Sequence, residues 1–293
     1  MRSYLFVPGD QPQKLQKAMG SGADALLIDL EDSVALSQKA KARQIATAFL
    51  KDAMSARPRP RLIVRVNAIA TGLIDDDLDA VMAAGPDAIL LPKAEGGKSV
   101  THLDAKLTML EAMHDIADGA TKIMALGTET ATAIFAAGTY RGSSPRLTAL
   151  TWGAEDLSAD LGAEQNRDAQ GHLLDPYRLA RSICLLAAAA AQIPAVDTVY
   201  VDFRNEAGFR ADTEAGRRDG FTGRMAIHPS QVPVINEVFT PSVDAIAQAR
   251  RLIAAFGEAK DAGAIAIDGV MYDQPHLARA ERLLSQAKAA GLV

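Results

Sequence analysis

The chain has 293 residues, 48% of them hydrophobic, which is enough to bury one large core. Its formal net charge of −5, its pI near 5.6 and the absence of a basic stripe argue against nucleic acid as the main partner. The single cysteine, Cys184, excludes an internal disulfide and a multi-cysteine metal cluster. The N-terminal run does not match a signal peptide, and no apolar stretch approaches the length of a membrane span. We therefore expect a soluble cytoplasmic protein without a membrane partner.

Short apolar runs recur along the chain, and amphipathic helical patterns separate them. In chain order, the eight runs cover residues 3–9, 23–32, 61–68, 87–95, 122–130, 147–156, 197–203 and 223–231. Their continuous apolar character is typical of parallel strands that are covered on both faces. Eight alternating strands and helices predict an α/β fold, a (β/α)8 TIM barrel. An open doubly wound sheet is the competing architecture, but the chain has no glycine-rich dinucleotide fingerprint.

The chain continues for longer than the closure of a barrel requires. We expect residues 1–235 to form the catalytic barrel domain and residues 236–293 to form a C-terminal helical extension. The extension has the pattern of a helix, a glycine-rich turn with a short strand or hairpin, and a second helix. We expect it to pack elsewhere, on a neighbouring subunit.

Polar side chains follow the predicted strands, and a barrel of this kind builds its active site at the C-terminal ends of its strands. The strand-end residues are Asp29, Glu31, Asp32, Arg65, Asn67, Lys93, Glu129, Glu155, Asp156, Asp202, Arg204 and His228. Glu129 and Asp156 follow neighbouring strands, and two converging carboxylates can share a cation. Hard oxygen ligands that leave room for water and substrate are typical of Mg²⁺. The alternative is that both residues are helix N-caps.

Other residues at the same rim have two open interpretations. Gly153 and Ala154 leave backbone N–H groups accessible, where a substrate carboxylate can dock. Arg65 suits an anionic substrate oxygen, an internal ion pair with Asp29 or Asp32, or both at once. Lys93 is either a Schiff-base lysine or a surface or supporting lysine.

Two further residues are interpreted as structural. His228 precedes Pro229, which fixes a turn, so a role at the end of its strand is favoured over general-base catalysis. Cys184 lies in an apolar helical pattern and is interpreted as a packed core residue.

The motifs at these positions resemble the citrate lyase β-subunit family within the HpcH/HpaI aldolase superfamily, in the family's order and over essentially the whole chain. The matching stretches are RSYLFVPG, ADALLIDLEDSVALSQKAKAR, VRVNAIATG, LLPKAE, GAEDL, DTVYVDFRNEAGF, IHPSQ and GVMYDQP. The resemblance implies a (β/α)8 barrel with a C-terminal extension, usually trimeric, and therefore a homotrimer or hexamer here. It also implies Mg²⁺ without a Schiff base.

The resemblance assigns roles to four residues and one motif. It implies that Glu129 and Asp156 hold the metal, that Arg65 binds substrate oxygens near the thioester carbonyl, and that the backbone amides of GAED contact the keto-acid carboxylate. Asp273 in MYDQP matches an acid/base carboxylate that the family contributes from the neighbouring subunit.

The resulting hypothesis is a Mg²⁺-dependent carbon–carbon lyase that cleaves or forms a 3-hydroxyacyl-CoA such as malyl-, citramalyl- or citryl-CoA, with a 2-keto acid and an acyl-CoA on the other side of the reaction. Lys14, Lys17 and Lys39 are candidates for the CoA phosphates. One alternative is a thioesterase or malate-synthase outcome. The other is a citrate lyase β subunit that works only with an acyl-carrier partner.

Overall fold

The structure is a computed structural model that describes residues 1–259 and 262–293. Eight parallel strands form one sheet: β1 Ser3–Pro8, β2 Ala25–Asp29, β3 Arg61–Arg65, β4 Ala88–Leu91, β5 Lys122–Leu126, β6 Leu147–Thr151, β7 Val196–Asp197 and β8 Gly223–Ala226. Their order is β6-β5-β4-β3-β2-β1-β8-β7, and a parallel bridge between Leu150 and Ala195 brings β7 back to β6. The predicted TIM barrel is therefore confirmed, and the open sheet is wrong.

Helices connect the strands and surround the barrel. They are α1 Pro12–Ala18, α2 Lys39–Ala53, α3 Ile74–Val81, α4 Gly97–Met113, α5 Ala131–Ala136, α6 Ala154–Leu161, α7 Asp175–Ala190, α8 Glu206–Asp219 and α9 Gln231–Phe239. In α2, the buried residues Ala42, Ala46, Phe49, Leu50 and Ala53 recur at helical spacing and form the face that packs on the sheet. Within the described residues, no helix has both the length and the apolar character to cross a bilayer.

The strands are buried on both faces, because their side chains point alternately toward the helices and into the barrel. This alternation determines which residues reach the mouth of the barrel. In β2, Leu26 and Ile28 belong to the core beneath the helices, whereas Ala25 and Leu27 belong to the smaller core inside the barrel. Because side chains alternate along a strand, Asp29 is the next inward-facing residue, at the C-terminal mouth. In β3, Ile63 lies in the barrel interior and Arg65 follows it on the same face.

The seventh strand is shorter than predicted. Residues 197–203 were expected to form it, but β7 ends at Asp197. The buried Asp197 carboxylate accepts hydrogen bonds from the Thr198 N–H at 3.0 Å and from Trp152 Nε1 at 2.8 Å, and it pairs with Arg181 Nη2 at 3.0 Å. The chain leaves the sheet after Asp197, where these contacts hold the carboxylate. Cys184 is completely buried in α7, as predicted.

After α9, which packs on β1 and β8, the chain forms α10 Val243–Glu258, an antiparallel hairpin of β9 Ala264–Ile267 and β10 Val270–Asp273, and α11 Gln274–Ala289. These elements have a small apolar cluster of their own, which includes Leu252, Phe256 and Ala280. The predicted boundary between residues 235 and 236 falls within α9.

Candidate active site at the C-terminal mouth of the barrel

Glu129 and Asp156 converge on one glycine. Glu129 lies three residues beyond β5, and Asp156 lies in the first turn of α6, directly after β6. A Cβ atom at Gly153 would be 2.7 Å from Glu129 Oε2 and 3.6 Å from Asp156 Oδ2. The absence of a side chain at position 153 is therefore what allows the two carboxylates to approach the same point.

Neither carboxylate caps a helix. The N-cap of α5 is Thr130, whose side chain accepts a hydrogen bond from the Ala133 N–H, and the N-cap of α6 is Gly153, which has no capping side chain. The alternative interpretation of Glu129 and Asp156 as N-caps is therefore wrong.

Glu129 is 1% exposed, and its described hydrogen bond comes from the backbone N–H of Lys93. Burial, together with the nearby negative charge of Asp156, raises the pKa of Glu129 well above its ordinary value. A buried carboxylate beside another carboxylate is electrostatically costly unless a positive charge joins them.

The adjacent residues Glu155 and Asp156 point in different directions, as consecutive helix residues must. Glu155 accepts a hydrogen bond from Asn166 Nδ2 at 2.7 Å, outside the mouth of the barrel. Asp156 lies instead 3.0 Å from Lys93 Nζ, with its side chain 29% exposed. Of the two neighbouring acids in GAED, only Asp156 belongs to the site.

Arg65 is fixed by the register of the sheet. The pairing of β2 with β3 places Asp29 beside Arg65, and the guanidinium donates from Nε and Nη2 to the two carboxylate oxygens at 2.7 and 2.8 Å. Arg65 Nη1 lies 3.0 Å from Glu31 Oε2, and the guanidinium stands over the Phe6 ring at 4.8 Å. The internal ion pair exists, and it directs Nη1 toward the acidic groups of the mouth.

Glu31 occupies the centre of this charge cluster. It is 4% exposed, and burial raises its pKa to about 7 despite the attraction of Arg65 and Lys93. Its Oε2 atom has no partner with hydrogen-bond geometry, although Arg65 Nη1 lies at ion-pair distance. Because the Glu31 carboxylate has few hydrogen bonds, the effect of burial on its pKa outweighs the attraction of Arg65 and Lys93.

Lys93 links the two sides of the mouth. Its Nζ atom lies 2.7 Å from Glu31 Oε1, 3.6 Å from Asp32 Oδ2 and 3.0 Å from Asp156 Oδ1. Burial lowers the pKa of Lys93, but the carboxylates of Glu31, Asp156 and Glu129 outweigh it and raise that pKa above its ordinary value, which favours the ammonium ion over the free amine. A Schiff base requires the free amine, so this environment disfavours the covalent interpretation of Lys93.

The composition of the mouth suits a divalent cation. We name as the carboxylate cluster the five acids that surround Arg65 and Lys93, namely Asp29, Glu31, Asp32, Glu129 and Asp156. The three aspartates alone outnumber the two basic groups, so negative charge is in excess even when the two glutamates hold protons. Among residues 1–259 and 262–293, no three His, Cys, Asp or Glu side chains form a metal cage. Two oxygen ligands with free positions for water and substrate fit Mg²⁺.

Backbone donors lie beside the carboxylates of Glu129 and Asp156. Gly153 is extended at φ −128°, and α6 begins at Ala154, so the first N–H groups of α6 have no partner inside the helix. The N-terminal end of the helix dipole favours an anion at this position.

Two other candidates have roles elsewhere. Lys39 Nζ donates to the backbone oxygens of Leu30 and Glu31, both at 2.7 Å, so it supports the loop after β2, and its contact with a CoA phosphate stays a prediction. His228 stacks on Phe203 with ring centroids 4.7 Å apart and lies 2.7 Å from Ser230 Oγ. Lys14 and Lys17 are exposed on α1.

Asp273 lies in the extension, at the N-cap of α11. Its carboxylate pairs with His276 Nδ1 at 2.5 Å, which lowers the pKa of Asp273. Within the described part of the chain, its contacts are in the extension, whose hairpin packs on α10 and α11.

A cavity of about 420 Å³ opens at the opposite end of the barrel, between the N-terminal ends of the strands and the last turns of α11. The acids at its edge are paired, Asp24 with Arg2 at 2.8 Å and Asp87 with Arg59 at 2.5 Å. Since the carboxylate cluster and the unpaired helix N-terminus lie at the other end, we place the active site there.

The sequence did not predict that Glu31 and Lys93 contact each other within the site. Both stood among the strand-end residues, but only the curvature of the barrel shows that residues 31, 93 and 156 meet.

The architecture and the site agree with comparisons to known proteins. Residues 2–229 match the family model described as HpcH/HpaI aldolase/citrate lyase. The chain is 34% identical to the citrate lyase subunit beta of Leuconostoc mesenteroides subsp. cremoris, over 100% of this chain and 95% of that one. It is 38% identical to a (3S)-malyl-CoA thioesterase of Cereibacter sphaeroides, over 98% of this chain and 95% of that one.

A solved structure resembles the whole chain. The CitE protein of Mycobacterium tuberculosis, crystallised with magnesium, acetoacetate and coenzyme A, superposes with a TM-score of 0.76 at 33% identity and covers 98% of each chain. The chain therefore belongs to the HpcH/HpaI aldolase/citrate lyase family of enzymes, as its motifs predicted.

Proposed function

We propose that this protein is a Mg²⁺-dependent carbon–carbon lyase that cleaves, or in reverse forms, a 3-hydroxyacyl-CoA thioester. The observation that carries the proposal is the convergence of Glu129 and Asp156 on Gly153, within a mouth that also contains Arg65. The CitE protein crystallised with magnesium and coenzyme A supports the same metal and thioester class. Such a substrate suits the cytoplasmic location expected from the sequence.

Glu129 and Asp156 would hold the ion, which when bound supplies positive charge to the hydroxyl and carboxylate oxygens of the substrate. The N–H groups at the start of α6 would bind the carboxylate of the hydroxy-acid end. Gly153 and Ala154 leave them open, because neither residue places a large side chain over them.

In the cleavage direction, the hydroxyl loses its proton, its carbon becomes the carbonyl of the 2-keto acid, and the electron pair of the broken bond passes to the thioester as an enolate. Arg65, fixed by Asp29, would donate a hydrogen bond to the enolate oxygen. Asp273 of a neighbouring subunit, ionised at the outset, would accept the proton of the hydroxyl and return it to the enolate carbon. The lowered pKa of Asp273 keeps it ionised, as removal of a proton from acetyl-CoA in the reverse direction requires.

Hydrolysis of the thioester is the second candidate function. The relative from Cereibacter sphaeroides is named a (3S)-malyl-CoA thioesterase, and the same residues would bind its substrate while water attacks the thioester. A third outcome, activity only with an acyl-carrier partner, follows from the relative named citrate lyase subunit beta.

Incubation of the purified protein with Mg²⁺ and each of malyl-, citramalyl- and citryl-CoA separates these functions. Free keto acid together with acyl-CoA supports the lyase. Free CoA with an intact hydroxy acid supports the thioesterase, and activity only after addition of a carrier protein supports the subunit function. Full activity with excess EDTA would contradict the metal-dependent mechanism.

A further inference from the structure

Three of the contacts that Lys93 makes within the carboxylate cluster join its two sides. Its backbone N–H donates to Glu129, and its ammonium lies 2.7 Å from Glu31 Oε1 and 3.0 Å from Asp156 Oδ1. One residue therefore contacts both proposed metal ligands, one through the main chain and the other through the side chain.

The backbone of Lys93 is unusual in a way that serves this position. Its φ is +48°, in the left-handed region, where non-glycine residues are uncommon and strained conformations often mark functional sites. The preceding residue, Pro92, directly follows β4. In this conformation the N–H and the side chain of Lys93 reach carboxylates on opposite sides of the mouth.

The ammonium of Lys93 also competes with a divalent cation. Asp156 can give its Oδ1 atom to Lys93 or to a metal ion, and two cations a few ångströms apart repel each other. The side chain of Lys93 is 33% exposed, so the ammonium has space to withdraw toward solvent.

We propose that Lys93 is a positioning residue with a double effect on the metal site: it organises Glu31, Glu129 and Asp156 before a divalent cation binds, and it limits how tightly that cation binds. This inference rests on the proposed function, because it assumes that Glu129 and Asp156 are the metal ligands. Weakened binding would keep the ion exchangeable and leave it positive enough to polarise a substrate oxygen.

The test compares the wild type with Lys93→Met, Lys93→Asn and Lys93→Arg. Methionine removes the charge and keeps the length. Asparagine removes the charge and tolerates the left-handed backbone, which guards against a failure to fold. Arginine retains the charge and is the matched control. Mn²⁺ serves as the probe, and its binding is measured by electron paramagnetic resonance, alongside thermal unfolding in EDTA.

We expect Mn²⁺ to bind the two neutral variants about tenfold more tightly than the wild type, because a positive charge beside the ion is gone. In EDTA the same variants should unfold at a lower temperature, whereas Lys93→Arg should remain within about threefold of the wild type in Mn²⁺ affinity. A lysine that merely supported the fold would weaken Mn²⁺ binding when removed. Equal or weaker Mn²⁺ binding by both neutral variants would overturn the competition.

An unchanged unfolding temperature in EDTA would overturn the organising effect of Lys93. If the wild type and all three variants fold but bind no Mn²⁺, the proposed metal site is wrong, which separates the failure of the proposed function from the failure of this inference.

Discussion

Gly153 faces the side chain of Glu129: a methyl group at position 153 would come within 2.7 Å of Glu129 Oε2 and 3.1 Å of Glu129 Cβ. This contact makes position 153 a sensitive probe of the active site, since the backbone there is extended and accepts an alanine.

Gly153→Ala should displace the Glu129 side chain and leave the fold intact. We expect Mg²⁺ affinity to fall at least tenfold and kcat/KM to fall about 100-fold, because Glu129, a proposed metal ligand, would no longer hold the ion against the substrate. Isothermal titration with Mg²⁺ and a keto-acid release assay measure the two effects. Gly138→Ala is the matched control, since a Cβ there meets nothing within 4 Å. Equal activity of both variants would show that Glu129 is not a ligand.

Asp156→Asn and Glu155→Gln change neighbouring acids that face different surroundings. We expect Asp156→Asn to lower kcat/KM at least 100-fold and to weaken Mg²⁺ binding, because the site would lose one of its two proposed ligands. Glu155→Gln should stay within about threefold of the wild type, since its carboxylate contacts Asn166. Steady-state kinetics over a Mg²⁺ series checks both. A larger loss in Glu155→Gln than in Asp156→Asn would contradict the site.

The metal-free protein should lose stability as the pH rises from about 4.5 to about 7. Burial raises the pKa of Glu31 from its ordinary 4.5 to about 7, so in this window the folded state keeps a proton that the unfolded state releases. The free energy of unfolding then falls with pH, by on the order of 2 to 3 kcal/mol from Glu31. The raised pKa of Glu129 acts in the same direction.

Urea unfolding in EDTA at several pH values measures this dependence. Glu31→Gln should flatten the curve, because glutamine does not titrate. A curve for Glu31→Gln with the wild-type slope would show that Glu31 is ionised throughout. Acids whose pKa is lowered in the folded state, such as Asp29, change the free energy of unfolding only at pH values below their ordinary pKa of 3.8. They therefore do not alter the slope between about pH 4.5 and about 7.

Arg65→Met should be more destabilising than the double variant Arg65→Met/Asp29→Asn. The single change leaves the carboxylate of Asp29, which is 1% exposed, without its bidentate partner and should cost about 3 to 5 kcal/mol in unfolding free energy. The double change removes the buried charge and should recover part of that loss. Both should lack lyase activity. Additive effects of the two substitutions in denaturant unfolding would show that the pair is not coupled.

Mixing two inactive variants tests whether Asp273 serves a neighbouring subunit. Asp156→Asn chains retain Asp273, and Asp273→Asn chains retain Asp156, so a re-assembled oligomer should contain complete sites. In an equal mixture about one quarter of the sites should be complete, and activity should return to that fraction. The separately assembled variants are the control. No recovery after exchange of subunits, verified by differential tags, would contradict the contribution of Asp273 in trans.

Most of the barrel could be predicted from the sequence, because few folds accommodate eight apolar strands that are covered on both faces. Glu129 and Asp156 could be selected because each follows a strand, and the ends of parallel strands meet. The pairing of Arg65 with Asp29 was one of two open interpretations, and it took the register of β2 with β3 to establish it. The contacts of Lys93 could not be predicted from the sequence, because its partner Glu31 is 62 residues away and no sequence pattern indicates its left-handed backbone conformation.

The short seventh strand was also beyond the sequence pattern. Residues 197–203 have the composition of a strand, but the hydrogen bonds of Asp197 to Thr198 and Trp152 end it after two residues. A tertiary contact here overrides a local preference.

The barrel is held together unevenly around its circumference, and the join between β6 and β7 is its thinnest point, with one bridge at Leu150 and Ala195 and a hydrogen bond from the Leu150 N–H to Pro194 O at 3.0 Å. Asp156 follows β6 in the first turn of α6, and the buried Cys184 lies in α7, which lies between β6 and β7 in the chain. The rate at which the Cys184 thiol is labelled should therefore report transient opening of the join between β6 and β7. Binding of a metal ion and substrate at the mouth of the barrel should slow this labelling.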